Sequence, residues 1–432
     1  MNQKEFDWSD DKAARELAEK INALSFKGCE KILCGDALYY ILMTDQTKLS
    51  GRETIKYIAR IFLRWCTQNN AYKVKGSPDT LFLFSHSYGD RQELKTNFEK
   101  VLKLVHNFVY MHPSPRRIQI KKLRLLRLPF IWDRQLAEIF RNRTQRYRMI
   151  YLLYCAYLDY YECCMFCKKH GIQLHKLVTN CDTHLTDSFF TQKFRNRKSA
   201  KTVTLQHGAF YARMDSWAYE KSHSDFCLVH GGYAMDEINK IPFFHTMIPA
   251  GLLSYIGWKE KPEPENYKAY RIGIFLDGGN FNYEHNVRLI QLMQQFKRKN
   301  NCRLYWKFHP TTNPADYEPH IRYEQDVYSN DILLEDFLEK IDAGIVSNST
   351  VMMELIKSWI PAFIYVDDKQ EYDMYTKFDV CRFYNEDELE GIICSINSEN
   401  MKNYMKKARD YYCTAGDTAA NYRKAFRKLG IY

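Results

Sequence analysis

Apolar residues follow two different periods along the chain, and the second half is the more regular. Beyond residue 270, short apolar runs end in small or polar residues, as in RIGIFLDGG, CRLYWKFHP, AGIVSNS and PAFIYV. Between them, apolar residues recur every three or four positions, as in HNVRLIQLMQQFKRKN and TVMMELIKSWI. Buried strands that alternate with amphipathic helices are typical of a doubly wound parallel sheet. We therefore predict an α/β domain over residues 271–405, followed by helices over residues 406–432.

The first half of the chain combines both patterns. Helical periods dominate to about residue 110, for example in ETIKYIARIFLRWC, and LFLFSHS is a candidate strand among them. The runs IQLHKLVTN, KTVTLQHG and DFCLVHGG then indicate a second sheet. The stretch 257–270 has two prolines and no apolar period, which is typical of a linker. We predict an N-terminal domain over residues 1–256 with a helix-rich start, and two Rossmann-like domains that face a central cleft.

Composition narrows the class of protein. The chain has 432 residues, of which 45% are apolar, with only 18 Gly and 12 Pro, and this excludes a disordered or collagen-like chain. Its 13 Cys fit reduced thiols in a cytoplasm. Cys163, Cys164, Cys167 and His170 lie close together, but no second ligand pair follows at zinc-finger spacing, so we expect thiols and no metal. The acidic N-terminus and the lack of a long apolar stretch predict a cytoplasmic chain without a signal peptide or a transmembrane helix.

Two strand ends of the second α/β pattern carry residues suited to a phosphate. His309 follows CRLYWKF, and its imidazole can donate a hydrogen bond to a phosphate oxygen, with Lys307 and Pro310 on either side. Gly278 and Gly279 follow RIGIFLD, where they either let the backbone approach a ligand or form a plain tight turn.

A third strand end is rich in hydroxyl groups. Ser347, Asn348, Ser349 and Thr350 lie between AGIV and the helix VMMELI. One hydroxyl is enough to cap the helix, and the remaining groups, with the backbone N–H groups of the helix start, can hold a phosphate. Glu354 lies one turn further on, where a carboxylate can accept from ribose hydroxyls.

A second histidine at a strand end lies in the first half of the chain. His207 follows the run KTVTLQ and precedes Gly208. Since an imidazole has a pKa of about 6.5, His207 is a candidate base for an acceptor hydroxyl across the cleft. A structural histidine in a turn is the alternative for His207 and for His309.

The segment 116–148 is strongly basic. It contains eleven Arg or Lys against Asp133 and Glu138, and so carries nine of the eleven net positive charges of the chain. Apolar residues are interleaved with the cations, and Pro129 interrupts the segment. We predict contact with an acceptor or an anionic membrane surface rather than with nucleic acid, and a solvated helix face is the alternative. The cations assigned to this contact are Arg116, Arg117, Lys121, Lys122, Arg124 and Arg127.

Taken in order, the motifs LQHGAFY, RIGIFLDGG, YWKFHP, IVSNSTVMMELI and PAFIY resemble the bacterial GT-B glycosyltransferases of surface polysaccharide synthesis. The resemblance spans roughly residues 200–370 and is to two groups, the polysialyltransferase and capsule-polymer enzymes and the CDP-glycerol (teichoic acid) transferases. Both share a His-Pro motif and a serine-rich motif in the C-terminal domain. The resemblance implies the GT-B fold, with a nucleotide-sugar donor on that domain.

The resemblance also implies roles for individual residues. Glu354 would hold the donor ribose, and His207 resembles the candidate base of the teichoic acid group, which would give inversion at the anomeric carbon. Because Glu354 is present and an Asp-Tyr-Ser-Ser motif is not, a CMP-sugar is favoured over CDP-glycerol, with a UDP-sugar as the alternative. The sequence has no DxD motif, so we expect neither a metal nor a cofactor besides the donor. The donor phosphate would be bound by His309, Ser347, Ser349 and Thr350.

Two other functions remain open at this point. One is a UDP-sugar 2-epimerase on the same architecture, and the other is a non-catalytic scaffold that binds RNA or another polyanion through the basic segment. The partners expected of the transferase are a nucleotide-sugar donor and a glycan or lipid-linked acceptor, at the inner face of the cell membrane.

Overall fold

The chain is divided into two compact units in the computed structural model. We call them the N-unit, which comprises Met1–Val229, Ala234–Gly257 and Thr418–Tyr432, and the C-unit, which comprises His230–Tyr233 and Trp258–Asp417. The structure describes residue 20 and the ranges 51–85, 92–114, 127–140, 143–181, 184–206, 224–238, 246–258, 261–278, 282–309, 312–321, 332–347, 349–367 and 381–432.

The N-unit is built on a seven-stranded sheet with the order β1-β3-β2-β4-β5-β6-β7. Among the described strands, the edge pair β1 and β3 is antiparallel and the other pairs are parallel. Central strands covered on both faces are apolar, as in TLFL of β2, whose residues are all buried. The strands are β1 (Asn70–Lys75), β2 (Thr80–Leu83), β3 (Phe108–Pro113), β4 (Lys176–Thr179), β5 (Lys201–Leu205), β6 (Phe226–Val229) and β7 (Thr246–Pro249).

Helices join these strands and form a side layer. They are α1 (Gly51–Thr67), α2 (Gln92–Leu102), α3 (Arg127–Ala137), α4 (Arg143–His170), α5 (Leu185–Arg195) and α6 (Gly232–Ile238). Helices α1, α3 and α4 share an apolar cluster that includes Trp132 and Tyr154. Pro129, the predicted interruption of the basic segment, lies in the first turn of α3, where no helical hydrogen bond from its nitrogen is needed.

The C-unit has a five-stranded sheet in which every described pair is parallel, with the order β12-β11-β10-β8-β9. Gly344 of β10 lets a helix approach closely, because a methyl group at its Cα would lie 2.5 Å from Leu355. The strands are β8 (Arg271–Phe275), β9 (Arg303–Lys307), β10 (Ala343–Val346), β11 (Ala362–Tyr365) and β12 (Arg382–Phe383). The helices are α7 (Tyr283–Lys299), α8 (Leu334–Leu338), α9 (Val351–Lys357), α10 (Glu386–Cys394) and α11 (Glu399–Cys413).

The stretch that we predicted as a linker packs in part on the C-unit. The backbone N–H of Tyr267 donates to the side chain of Asn397 (2.6 Å), and the Asn397 amide donates back to the Tyr267 carbonyl (3.1 Å). The Tyr267 side chain is buried. Residues 261–270 are therefore anchored before the first strand of the C-unit begins.

The last helix, α12 (Thr418–Leu429), returns to the N-unit after the chain has built the C-unit. Phe426 packs edge-on against Phe82 of β2, with ring centroids 6.1 Å apart, and both side chains are buried. The ammonium of Lys201 donates to the Leu429 carbonyl at the end of this helix (3.2 Å). The C-terminus is thus part of the N-unit core.

The predicted fold class, α/β with two Rossmann-like domains, is confirmed by two sheets whose described strands are parallel, apart from the edge pair β1 and β3, and by their crossover helices. Most of the predicted helix-rich start, residues 1–19 and 21–50, lies outside the described residues. No helix in the described ranges is both long and apolar enough to cross a lipid bilayer.

Candidate functional site

The strand order of the C-unit marks where a ligand is expected to bind. β8 lies between β9 and β10, so the chain first winds to one side of β8 and then to the other. In an open parallel sheet, ligands bind beyond the carboxyl ends of the two strands at which this reversal occurs, here β8 and β10. Asp277 and Gly278 follow β8, and Ser347 and Ser349 follow β10.

His309 packs directly against Gly278 at this edge. A methyl group on the Cα of Gly278 would lie 2.4 Å from Nδ1 of the imidazole, so only glycine permits the contact. The His309 side chain is nevertheless exposed, and its carbonyl accepts a hydrogen bond from the N–H of Thr312 (2.8 Å). The structure therefore brings together two residues that the sequence assigned to a phosphate site.

The turn after β8 is held in shape by side chains at the start of α7. Asn286 accepts from the N–H of Asp277 (3.0 Å) and donates to the Asp277 carbonyl (2.9 Å) and to the hydroxyl of Tyr317 (3.0 Å). Asn282 donates to the carbonyl of Gly278 (2.6 Å). Because these backbone groups are paired within the protein, the turn is formed without a ligand.

A buried chain of hydrogen bonds links the ends of β10 and β11. Nε2 of His285, in the first turn of α7, lies 2.7 Å from the Ser347 hydroxyl, and Nδ1 lies 3.3 Å from the carboxylate of Asp367. Arg288 donates to the same carboxylate through Nε (2.5 Å). His285, Ser347 and Asp367 are all buried, being at most 8% exposed.

The ion pair between Arg288 and Asp367 determines which groups donate and which accept in this chain of hydrogen bonds. As a carboxylate, Asp367 only accepts, so Nδ1 of His285 carries the hydrogen and Nε2 accepts the hydrogen of the Ser347 hydroxyl. Burial is the main cause that lowers the pKa of His285 and favours the neutral ring, although the bond to Asp367 acts in the opposite sense. The Ser347 hydrogen is thus used inside the protein, which argues against the predicted bond from Ser347 to a phosphate oxygen.

Ser349 caps the helix that follows β10. Its Oγ accepts a hydrogen bond from the N–H of Val351 (3.3 Å), whereas Thr350 makes no capping bond through its side chain. α9 has only seven residues, so its dipole adds little to anion binding. Glu354 lies half-buried in the first turn, and its predicted bond to a ribose stays a prediction.

Lys307 uses its ammonium on a neighbouring segment. Nζ donates to the carbonyl of Ile332 (3.0 Å) and lies 5.9 Å from the centroid of the Phe337 ring. The structure therefore places this cation against the residues around α8. Its predicted contact with the donor phosphate stays a prediction.

Several predicted site residues lie outside the described ranges, and their roles stay predictions. They are His207, Gly279, Pro310 and Asn348, together with the cations Arg116, Arg117, Lys121, Lys122 and Arg124. Arg127 is described; it begins α3 and is exposed.

The carboxyl edge of the N-unit sheet has a similar construction. The winding reverses at β2 and β4, and Ser85, just after β2, donates to Asp187 in the first turn of α5 (2.5 Å). Both side chains are buried, as are Asn180 and Gln206 after β4 and β5. The predicted base, His207, follows Gln206 in the sequence. Polar residues thus collect at the strand ends of both sheets.

The cysteine cluster lies beside a cavity of about 480 Å³ in the N-unit. The cavity is bounded by α4, α5 and the segment before β4, so it lies at the opposite end of the strand from Asn180. The thiols of Cys163 and Cys167 are hydrogen-bonded to one another, and this bond and burial raise the pKa of Cys163. Within the described ranges, no three His, Cys, Asp or Glu side chains are grouped as metal ligands would be.

The described part of the basic segment packs most of its apolar residues into the protein, whereas Phe130 is exposed. Leu128, Trp132 and Leu136 of α3 are buried in the cluster shared with α1 and α4. Arg146 pairs with Asp133 (2.6 Å), and Arg148 donates to the Tyr57 hydroxyl (3.1 Å). These apolar side chains are therefore not available to a membrane.

Three residues of the site, His285, Asn286 and Asp367, were not predicted from the sequence. The first two stand together in the first turn of α7, where two consecutive buried polar side chains interrupt the apolar face of the helix. That interruption is a signal in the sequence, but the partners of these residues lie far away along the chain. Asp367 shows no comparable signal, since an acidic residue after a strand is common in turns.

Comparison with known proteins gives similarities of fold only. No family model and no curated protein sequence matches the chain. A similar structure is the pneumococcal O-GlcNAc transferase GtfA in complex with UDP and GlcNAc, at 10% identity and a TM-score of 0.40, over 61% of this chain and 58% of that one. The chain thus spans little more than half the length of GtfA.

Two further structures are similar over most of their length. One is assigned as a UDP-N-acetylglucosamine 2-epimerase from Listeria monocytogenes, at 10% identity and a TM-score of 0.49, over 82% of this chain and 97% of that one. The other is the wall teichoic acid polymerase TagF, at 11% identity and a TM-score of 0.42, over 91% of this chain and 97% of that one. At these values the similarities assign neither a family nor an activity.

Proposed function

We propose that the chain is an inverting, metal-independent glycosyltransferase, which moves a sugar from a nucleotide-activated donor to a glycan or glycolipid acceptor in surface polysaccharide synthesis. The observation that carries the proposal is the contact of an exposed imidazole, His309, with Gly278 at the point where the winding of the C-unit sheet reverses. The resemblance of the motifs favours a CMP-sugar as the donor, with a UDP-sugar as the alternative.

The chemistry required of this site is stabilisation of a leaving phosphate. When the bond between the anomeric carbon and the phosphate oxygen breaks, negative charge develops on that oxygen. His309 can donate a hydrogen bond to it, and the missing side chain at Gly278 leaves the space that the imidazole occupies. Since Asn286 and Asn282 already hold the turn, donor binding need not order it, which lowers the entropic cost of reaching the reactive geometry.

The acceptor hydroxyl must lose a proton as it attacks the anomeric carbon from the face opposite the phosphate. We assign this proton to His207, on the resemblance of its His-Gly motif and on its place in the sequence, two residues after the last residue of β5. Gln206, the residue before it, is buried at the end of that strand. Attack from the opposite face inverts the configuration at the anomeric carbon.

The identity of the donor nucleotide is tested by a thermal-shift screen of the full chain against CMP, CDP, UDP and GDP. Stabilisation by one nucleotide supports the proposal and names the base. If none of the four raises the melting temperature at millimolar concentration, the C-unit is not a donor site and the proposal fails.

The role of His309 is tested by His309→Ala, for which we expect transfer to fall by about 100-fold or more, the range for loss of one donor to a developing anion. The melting temperature should be unchanged because the ring is exposed. His106→Ala, which removes another exposed imidazole, from the N-unit, is the matched control and should keep full activity. A fully active His309→Ala enzyme would remove His309 from the mechanism.

A second substitution, at the neighbouring Gly278, also tests the role of the His309 imidazole. Gly278→Ala introduces a methyl group that would lie 2.4 Å from Nδ1 of His309, so the ring must move. We expect a loss of transfer comparable to that of His309→Ala.

Incubation of the wild-type chain with UDP-N-acetylglucosamine alone distinguishes a transferase from the alternative function, a 2-epimerase, since an epimerase forms the 2-epimer without an acceptor.

A further inference from the structure

Helix α1 presents an apolar face to solvent. Four of its large apolar side chains are exposed, namely Ile55 (68%), Ile58 (45%), Phe62 (52%) and Leu63 (50%). Ile55, Ile58 and Phe62 follow the spacing i, i+3, i+7, which places them on one stripe of the helix, with Leu63 beside it. Another side of the helix faces the core, where Ile61 is only 6% exposed.

A stripe of positive charge runs along the edge of this apolar face. Arg52, Lys56 and Arg60 are spaced four residues apart, and all three are exposed. Arg64, the next in this spacing, is directed inward, where the nearby Asp159 helps to raise its pKa against the effect of burial. Glu53 is the one acidic residue of the helix, so its outer surface is apolar and cationic.

An apolar stripe flanked by cations is the composition of a helix that lies in the interface of an anionic bilayer. We propose that α1 binds the N-unit to an anionic lipid surface, with Ile55 and Ile58 among the acyl chains and Lys56 and Arg60 at the lipid phosphates. A second copy of the chain is a poorer occupant, because a two-fold contact through this face brings like stripes of charge together.

The proposed surface differs from the one that the sequence indicated. The apolar residues of α3, in the basic segment, are buried around Trp132, whereas those of α1 are exposed. Phe130 is the exception in α3, with 71% exposure, and adds to the apolar surface of this helix layer. The inference does not depend on the proposed transferase activity, since α1 belongs to the N-unit and the donor site to the C-unit.

The experiment is co-sedimentation of the full chain with vesicles of phosphatidylcholine, with and without phosphatidylglycerol. We expect binding to the anionic vesicles only, weaker at higher ionic strength because salt screens the basic stripe. Two double variants separate the contribution of the apolar face from that of the charges. Ile55→Gln with Ile58→Gln changes the apolar face, and Lys56→Glu with Arg60→Glu changes the charges. Each should weaken binding by at least about tenfold.

Matched controls change the same properties elsewhere. Lys424→Glu with Lys428→Glu makes the same change of charge on exposed residues of α12, and Leu333→Gln removes an exposed apolar side chain of the C-unit (66%). Both should bind vesicles within about twofold of wild type. A loss in the α12 variant equal to that of Lys56→Glu with Arg60→Glu would show a response to net charge alone and overturn the proposal.

Two further outcomes contradict a membrane surface at α1. One is the absence of sedimentation with anionic vesicles. The other is a wild-type dimer in solution that becomes monomeric in Ile55→Gln with Ile58→Gln, which would show that a second copy covers the face. The thermal shift of each variant with the nucleotide bound by the wild type should be unchanged, and this keeps the result separate from a failure at the donor site.

Discussion

The strand ends of the two sheets differ in what connects a buried hydroxyl to a buried carboxylate. In the N-unit, Ser85 donates directly to Asp187. In the C-unit, the imidazole of His285 stands between Ser347 and Asp367. A direct pair has one arrangement while the carboxylate is charged, whereas an imidazole that gains a proton carries a hydrogen on both nitrogens and reverses the bond to the serine. Similar topology therefore supports a fixed contact in one unit and a titratable one in the other.

The side chains at the carboxyl ends of the two sheets also differ in their exposure to solvent. Among the described residues that follow β2, β4 and β5, Ser85, Asn180 and Gln206 are buried. At the C-unit edge, His309 is exposed and lies against a glycine. An exposed imidazole at the carboxyl end of a parallel sheet is suited to an anion, so the comparison favours the C-unit for the donor phosphate.

The largest loss of stability is expected from Asp367→Ala, in the C-unit network. It removes the acceptor of His285 and the carboxylate partner of Arg288, so the free energy of unfolding should fall by about 3 kcal/mol in urea denaturation. Glu339→Ala breaks the exposed pair with Lys261 and should cost about 1 kcal/mol or less. Equal losses in the two variants would contradict the view that the Asp367 network supports the C-unit.

A smaller effect is expected in the N-unit. Asp187→Ala leaves the buried Ser85 hydroxyl without its acceptor, and we expect a loss of about 2 kcal/mol in the free energy of unfolding. Asp187→Asn keeps an acceptor oxygen in place and should recover part of that loss. If both variants unfold at the urea concentration of the wild type, the direct pair is not a structural contact.

The titratable contact predicts a dependence on pH that the direct pair lacks. Because burial lowers the pKa of His285 from its usual 6.5, the unfolded chain takes up a proton below pH 6.5 that the folded chain resists. Stability should therefore fall with decreasing pH in that window by up to about 1.4 kcal/mol per pH unit, and be unaffected by this group above it. The difference between wild type and His285→Asn in urea denaturation, measured from pH 5 to pH 8, isolates this contribution from that of other groups.

The smallest effect concerns the cap after β10. Ser349→Ala removes the acceptor for the N–H of Val351 and should cost about 0.5–1 kcal/mol. Thr350→Ala should cost less, since Thr350 makes no capping bond through its side chain. The reverse order of the two variants, measured by thermal unfolding, would assign the cap to Thr350.

The alternation of strands and helices, and with it the residues that stand at strand ends, could be predicted from the amino-acid pattern alone. His309, Gly278 and Ser349 were found in this way, because the end of an apolar run is a local property that neighbouring residues fix. The sequence also gave α1 as an amphipathic helix. Its period could not show that the helix has apolar residues on both sides, with Ile61 inside and Phe62 outside.

Which strand ends are neighbours depends on the packing of the folded chain and could not be predicted from the sequence. His285 and Ser347 are separated by 62 residues, and Asp367 lies 82 residues from His285, yet the order of the parallel strands brings the three together. Strand order depends on the packing of whole crossover units and leaves no period in the sequence. For this reason the hydroxyl of Ser347 was expected to meet a phosphate, whereas the folded chain uses its hydrogen on an imidazole that the local pattern never indicated.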